Sequence, residues 1–79
     1  MKIFLAGATG VLGGQLMPLL VAGGHDVVGT TRSSDKADAL RAAGAEPVVL
    51  DLLDGPAVLE AVLRTNPDVV VHQATALAS

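Results

Sequence analysis

Apolar residues along the chain follow two alternating patterns. Short apolar runs predict β-strands, and the stretches between them place apolar residues three or four positions apart, which predicts helices. The four predicted strands are Lys2 to Ala6, Asp26 to Thr30, Glu46 to Leu50 and Asp68 to Val71. Alternation of strand and helix is typical of an α/β fold with parallel strands and right-handed crossovers.

Three helices are predicted between these strands. The first runs from Val11 to about Ala22, with an apolar face formed by Leu12, Leu16, Leu19 and Leu20. The second begins at a cap on Ser33 or Ser34, and Gly44 lies where a left-handed helix end is expected. The third begins after the capping residue Asp54 and ends at Asn66-Pro67, with its apolar face at Val58, Leu59, Val62 and Leu63.

The predicted sheet has the strand order 3-2-1-4. Pro47 cannot donate a ladder hydrogen bond, which places the third strand at an edge. The fold class is therefore a three-layer α/β sandwich with a parallel sheet. Residues 1–79 are enough for one small domain.

Composition excludes several classes of function. The chain has 79 residues, no cysteine and a net charge of −3, so disulfides, thiolate metal sites and a basic nucleic-acid surface are not expected. No apolar run approaches the roughly 18 residues that cross a membrane. The start of the chain does not resemble a signal peptide, and a cytoplasmic location is the default expectation. We predict no metal site.

The glycines Gly7, Gly10 and Gly13 carry the strongest functional indication, because they follow a strand and open a helix. Gly7 permits a sharp turn, Gly10 permits close approach of a pyrophosphate, and Gly13 lets the helix lie near the sheet. Free N–H groups of the first helical turn then point at the phosphates. A strand, a glycine-rich turn and a helix in this order are the context of a Rossmann-type dinucleotide site. The alternative is that the glycines form a tight turn without a ligand.

The end of the second strand indicates which dinucleotide is bound. An acidic residue there binds the ribose 2′-hydroxyl of NAD, and this strand ends instead in Thr31-Arg32. The guanidinium of Arg32 suits a 2′-phosphate and Thr31 adds a hydroxyl, so NADP is favoured over NAD. The alternative is that Arg32 is an ordinary surface arginine.

Other polar residues follow the third and fourth strands. Asp51 can accept a hydrogen bond from the adenine amino group or can be a turn aspartate, and the sequence does not decide between them. His72 lies at the carboxyl end of the sheet, where it contacts the cofactor or a neighbouring loop, or is a hydrogen-bonded strand-end residue. His25 is interpreted as structural.

Together these segments resemble the start of the short-chain dehydrogenase/reductase superfamily, in its extended and atypical branches: NAD(P)-dependent epimerases, dehydratases and NAD(P)H-binding reductases. The motifs are the glycine turn from Gly7 to Gly13, Gly24 to Val28, Thr31-Arg32, Asp51-Leu52 and Val70 to Ala74. The resemblance implies a set of cofactor contacts. These are pyrophosphate at Gly7, Thr9, Gly10, Val11 and Leu12, 2′-phosphate at Thr31 and Arg32, adenine at Asp51 and Leu52, and ribose or nicotinamide near Ala74.

The chain departs from this family in its length and its lack of tyrosine. The resemblance implies that the second half of the Rossmann-type sheet is incomplete and that residues 1–79 are one N-terminal NAD(P)-binding half-domain. The family's catalytic Tyr-x-x-x-Lys pair lies beyond the fourth strand, so we predict no catalytic residue here. Two functions remain open: the cofactor half of an oxidoreductase or epimerase/dehydratase, and a non-catalytic NADP-sensing module. The dinucleotide is the expected partner, and the exposed fourth strand makes self-association a further expectation.

Overall fold

The computed structural model describes residues 1–8 and 11–72, with the backbone alone for residues 11–13. Its elements are β1 (Lys2–Ala6), α1 (Val11–Ala22), β2 (Asp26–Thr31), α2 (Ser34–Ala42), β3 (Glu46–Val49), α3 (Gly55–Thr65) and β4 (Val69–His72). All predicted elements are present, and their ends differ from the prediction by one residue.

The sheet is parallel and has the order β3-β2-β1-β4. This confirms the predicted order and places Pro47 on an edge strand, where it pairs with Gly29. β1 lies at the centre, and its residues from Ile3 to Ala6 are buried. β4 begins one residue later than predicted, and the preceding residue, Asp68, accepts the Lys2 N–H with its carboxylate and donates its own N–H to the Lys2 carbonyl, both at 2.8 Å.

Two apolar clusters pack on opposite faces of the sheet, because successive side chains of a strand alternate. On one face, Leu5 packs with Met17 of α1 and Leu40 of α2. On the other face, Phe4 packs with Val28 and with Ala61 of α3. The helices therefore form two outer layers, and the three-layer sandwich is confirmed.

The predicted apolar faces of α1 and α3 were wrong in part. Leu19 of α1 is 70% exposed, and Leu59 and Leu63 of α3 are also exposed. The buried side of α3 is instead formed by the small residue Ala61 and by Thr65, whose hydroxyl donates to the Ala61 carbonyl at 2.7 Å. Ala61 packs against Phe4 and Val28 of the sheet, and the internal hydrogen bond satisfies the buried Thr65 hydroxyl.

Three of the four helix ends that the sequence predicted have the expected geometry. Asp54 accepts the Ala57 N–H at 3.2 Å, and Gly44 and Asn66 have positive φ angles of 97° and 49°. Ser33 occupies the N-cap position of α2, but its side chain makes no capping hydrogen bond. Its N–H donates to Thr31 Oγ1 at 3.2 Å, so a neighbouring hydroxyl shapes this helix entry instead.

The outer edge of β4 is open to association. Val69 and Val70 are exposed, and no strand among the described residues pairs with that edge.

We expect a polypeptide of residues 1–79 to self-associate as its concentration rises, since an apolar strand edge is a template for pairing. Val70→Lys should reduce association by placing a charge on the edge. Sedimentation velocity at several concentrations measures this, and a monomer throughout would contradict it.

Candidate nucleotide-binding site

The glycine turn leaves the carboxyl end of the central strand. Gly7 follows β1 with a φ of +86°, a conformation that residues with a Cβ rarely adopt. The chain enters α1 at Val11, and β1 has neighbours on both sides, β2 and β4. Ligands of open parallel sheets bind at this kind of position, where the connections diverge. The strand–turn–helix context of the motif is therefore present.

The amino end of α1 suits an anion. Its first turn, which contains Val11, Leu12 and Gly13, has N–H groups without partners inside the helix, and it carries no acidic residue. No side chain of this first turn therefore neutralises the partial positive charge of the helix end. Thr9 and Gly10 lie outside the described residues.

The end of β2 packs tightly against the start of the turn. The Gly7 N–H donates to Thr30 Oγ1 at 2.8 Å, and the Ala8 N–H donates to the Thr30 carbonyl at 3.1 Å. A Cβ on Gly29 would lie 2.8 Å from the Ala8 Cβ, which is closer than real Cβ contacts. Sequence analysis assigned no role to Gly29 or Thr30. A glycine inside an apolar strand was the available signal, since it indicates close approach of another segment.

Arg32 and Asp51 lie together at the ends of β2 and β3. The Arg32 side chain is 76% exposed, and its Nη2 atom lies 4.0 Å from Asp51 Oδ2. A backbone bond from the Leu50 N–H to the Thr31 carbonyl, at 3.0 Å, joins the two strand ends. The ion pair is exposed to solvent, so it contributes about 0–1 kcal/mol and leaves Arg32 able to bind another anion.

The other residues that were predicted to contact the cofactor differ in their surroundings. Thr31 is buried, and its hydroxyl contacts Ser33 rather than projecting beside Arg32. Asp51 Oδ1 accepts the Leu53 N–H at 2.9 Å, which is the geometry of a turn aspartate. Leu52 packs against the Phe4 cluster. Ala74 lies outside the described residues.

The two histidines also differ in position. His72 is the last residue of β4 and pairs with Ala6 in the sheet register, at the carboxyl end where the glycine turn begins. His25 lies before β2, and its N–H donates to the Leu20 carbonyl at 3.2 Å. Within residues 1–8 and 11–72, no cluster of potential metal ligands is found, and no helix is long and apolar enough to cross a membrane.

Comparison with known proteins identifies the class of this fold and site. The chain belongs to the NAD-dependent epimerase/dehydratase family, whose profile matches residues 3–79. It is 50% identical over 78 residues to 3-diazoavenalumate denitrifying reductase from a Streptomyces species, covering 98% of this chain and 24% of that protein. The chain thus spans about a quarter of the length of the curated relatives it matches.

Solved structures agree with this assignment. Yeast methylglyoxal/isovaleraldehyde reductase complexed with NADPH matches with a TM-score of 0.78 and 26% identity, over 91% of this chain and 26% of that one. A short-chain dehydrogenase from Streptomyces avermitilis matches with a TM-score of 0.70 and 32% identity, over 87% and 29% of the respective chains. The resemblance inferred from the motifs is confirmed: the chain carries part of a nucleotide-binding domain of the oxidoreductase type.

The close packing at Gly29 can be tested by substitution in the full-length protein. Gly29→Ala should lower the free energy of unfolding by about 1–3 kcal/mol, because the new methyl group must displace Ala8 or the end of β2. Gly55→Ala is the matched control, since a Cβ there has nothing within 4 Å. Denaturant titration measures both, and equal effects would show that the contact at Gly29 is easily relaxed.

Proposed function

We propose that residues 1–79 are the N-terminal cofactor half of an NADP-dependent reductase or epimerase/dehydratase. The observation that carries this proposal is the glycine turn at the carboxyl end of β1, directly before the acid-free first turn of α1. The dinucleotide supplies the hydride chemistry, and the protein binds and orients it. The names of the similar proteins, two of which are reductases, favour an enzyme over a non-catalytic NADP-sensing module.

The pyrophosphate contacts are proposed for the turn and the start of α1. Gly7 and Ala8 already donate their N–H groups to Thr30, so the donors to phosphate come from later residues. Gly7 then contributes its positive φ angle and its lack of a side chain. The proposed contact residues are Gly7, Thr9, Gly10, Val11, Leu12 and Gly13.

The adenosine end is proposed to bind along the ends of β2 and β3. Arg32 contacts the 2′-phosphate, and Thr31 shapes the backbone through its hydrogen bond with Ser33. The turn bond uses Asp51 Oδ1, and Oδ2 lies 4.0 Å from Arg32 Nη2, beyond hydrogen-bond distance, so Oδ2 can accept the adenine amino group. Leu52 is proposed to lie beside the adenine, and Ala74 beside the ribose or nicotinamide.

Substitutions at Gly10 test the pyrophosphate site. Gly10→Leu should abolish detectable NADPH binding while helical content is kept, because the motif places a phosphate where the side chain would lie. Gly10→Ala should give a smaller loss, in proportion to its single methyl group. Calorimetric titration of the full-length protein measures affinity and circular dichroism measures helix content. Unchanged affinity in Gly10→Leu would rule out the phosphate role.

Arg32→Ala tests the choice of cofactor. Hydrogen bonds to charged groups are worth about 1.5–3 kcal/mol, so NADPH should bind about tenfold or more weakly while NADH is almost unaffected. Arg41→Ala is the matched control, because Arg41 is an exposed arginine in the last turn of α2, paired with Asp38. The dissociation constants of NADPH and NADH test whether Arg32 recognises the 2′-phosphate. Equal losses for NADPH and NADH would exclude recognition of the 2′-phosphate by Arg32.

A further inference from the structure

We propose that Thr30 is a positioning residue for the bound pyrophosphate: its buried hydroxyl fixes the glycine turn in the conformation that binds the cofactor. The inference rests on the proposed function of the turn and adds a residue from a different strand to it. Thr30 itself lies beneath the turn and acts through Gly7 and Ala8 rather than by touching the ligand.

The contacts of Thr30 are unusual for a strand residue. Its side chain is 1% exposed, and its Oγ1 atom accepts the Gly7 N–H at 2.8 Å. Its carbonyl accepts the next N–H along the chain, that of Ala8, at 3.1 Å. One residue therefore binds two successive amides at the point where β1 becomes the turn.

Neighbouring residues strengthen this connection. Gly29 precedes Thr30 and has no side chain, which leaves space for the Ala8 methyl group. Ala8 is buried in the same cluster as Leu5 and Leu40. The start of the turn is thus fixed by two hydrogen bonds that Thr30 accepts and by packing over Gly29, so it cannot move away from β2 without breaking both.

The hydroxyl is needed because of the conformation of Gly7. Its φ of +86° turns the chain out of the β1 ladder, so its part-buried N–H needs an acceptor other than the ladder. The Thr30 hydroxyl supplies that acceptor. Since the Gly7 and Ala8 N–H groups donate to Thr30, the proposed donors to the phosphates are later residues. Loss of the hydroxyl should therefore disorder the phosphate side of the site and leave the adenosine side unchanged.

Thr30→Val in the full-length protein removes the hydroxyl and keeps the branched shape. We expect NADPH and NADH to bind about tenfold more weakly, by the same factor, because both contain the pyrophosphate. Adenosine 2′-monophosphate, which lacks the 5′-phosphates, should bind as it does to the unchanged protein. Thr30→Ser should restore NADPH binding to within about threefold, because a serine hydroxyl can also accept the Gly7 N–H. Titration calorimetry measures all three ligands.

Thr65→Val is the matched control, since Thr65 is another buried threonine, bonded within α3 to Ala61. Its affinity for NADPH should be unchanged. If Thr30→Val does not fold, Thr30→Cys replaces it, because sulfur accepts hydrogen bonds weakly and occupies similar space.

The outcomes separate this inference from the function on which it rests. If the unchanged protein binds neither NADPH nor NADH, the proposed function fails. If it binds them and Thr30→Val does so equally well, only the role of Thr30 fails. Equal weakening of adenosine 2′-monophosphate, or a Thr30→Ser variant no better than Thr30→Val, would likewise overturn the positioning role and indicate general destabilisation.

Discussion

The glycine turn lies so close to the end of β2 that only a residue without a side chain fits at position 29. The Ala8 methyl group occupies the space that a Cβ on Gly29 would need, and Thr30 accepts the N–H groups of both Gly7 and Ala8. This contact couples the first two strands to the start of α1. Because the proposed phosphate donors follow directly in the chain, we propose that the packing of the sheet sets the geometry of the site.

The two ends of the proposed site carry different kinds of positive charge. The acid-free amino end of α1 provides partial positive charge from backbone groups, which cannot be removed by changing a side chain. At the ends of β2 and β3, Arg32 provides a full charge on an exposed and adaptable side chain beside Asp51. The first end suits the pyrophosphate that all dinucleotides share, and the second suits the group that distinguishes NADP from NAD.

Packing of the helices depends on small residues as much as on large ones. α3 contacts the sheet through Ala61, which packs with Phe4 and Val28, and leaves Leu59 and Leu63 exposed. Contiguous exposed apolar surface is typical of a face that contacts another segment or chain. Leu59 and Leu63 lie one helical turn apart on α3 and form such a surface, and the valines of β4 expose further apolar atoms at the edge of the sheet.

Local pattern alone determined the order of strands and helices, the parallel sheet with β3 at its edge, the glycine turn and the caps at Asp54, Gly44 and Asn66. These features depend on residues near each other in sequence, or on rules of chain connection that every α/β fold obeys. Tertiary structure alone decided that Leu19 and Leu63 are exposed, that the Thr31 hydroxyl turns to Ser33, and that Gly29 and Thr30 contact the turn. Each of these depends on which segments meet across the sheet, and helical or strand periodicity contains no information about the partner that a given face will find.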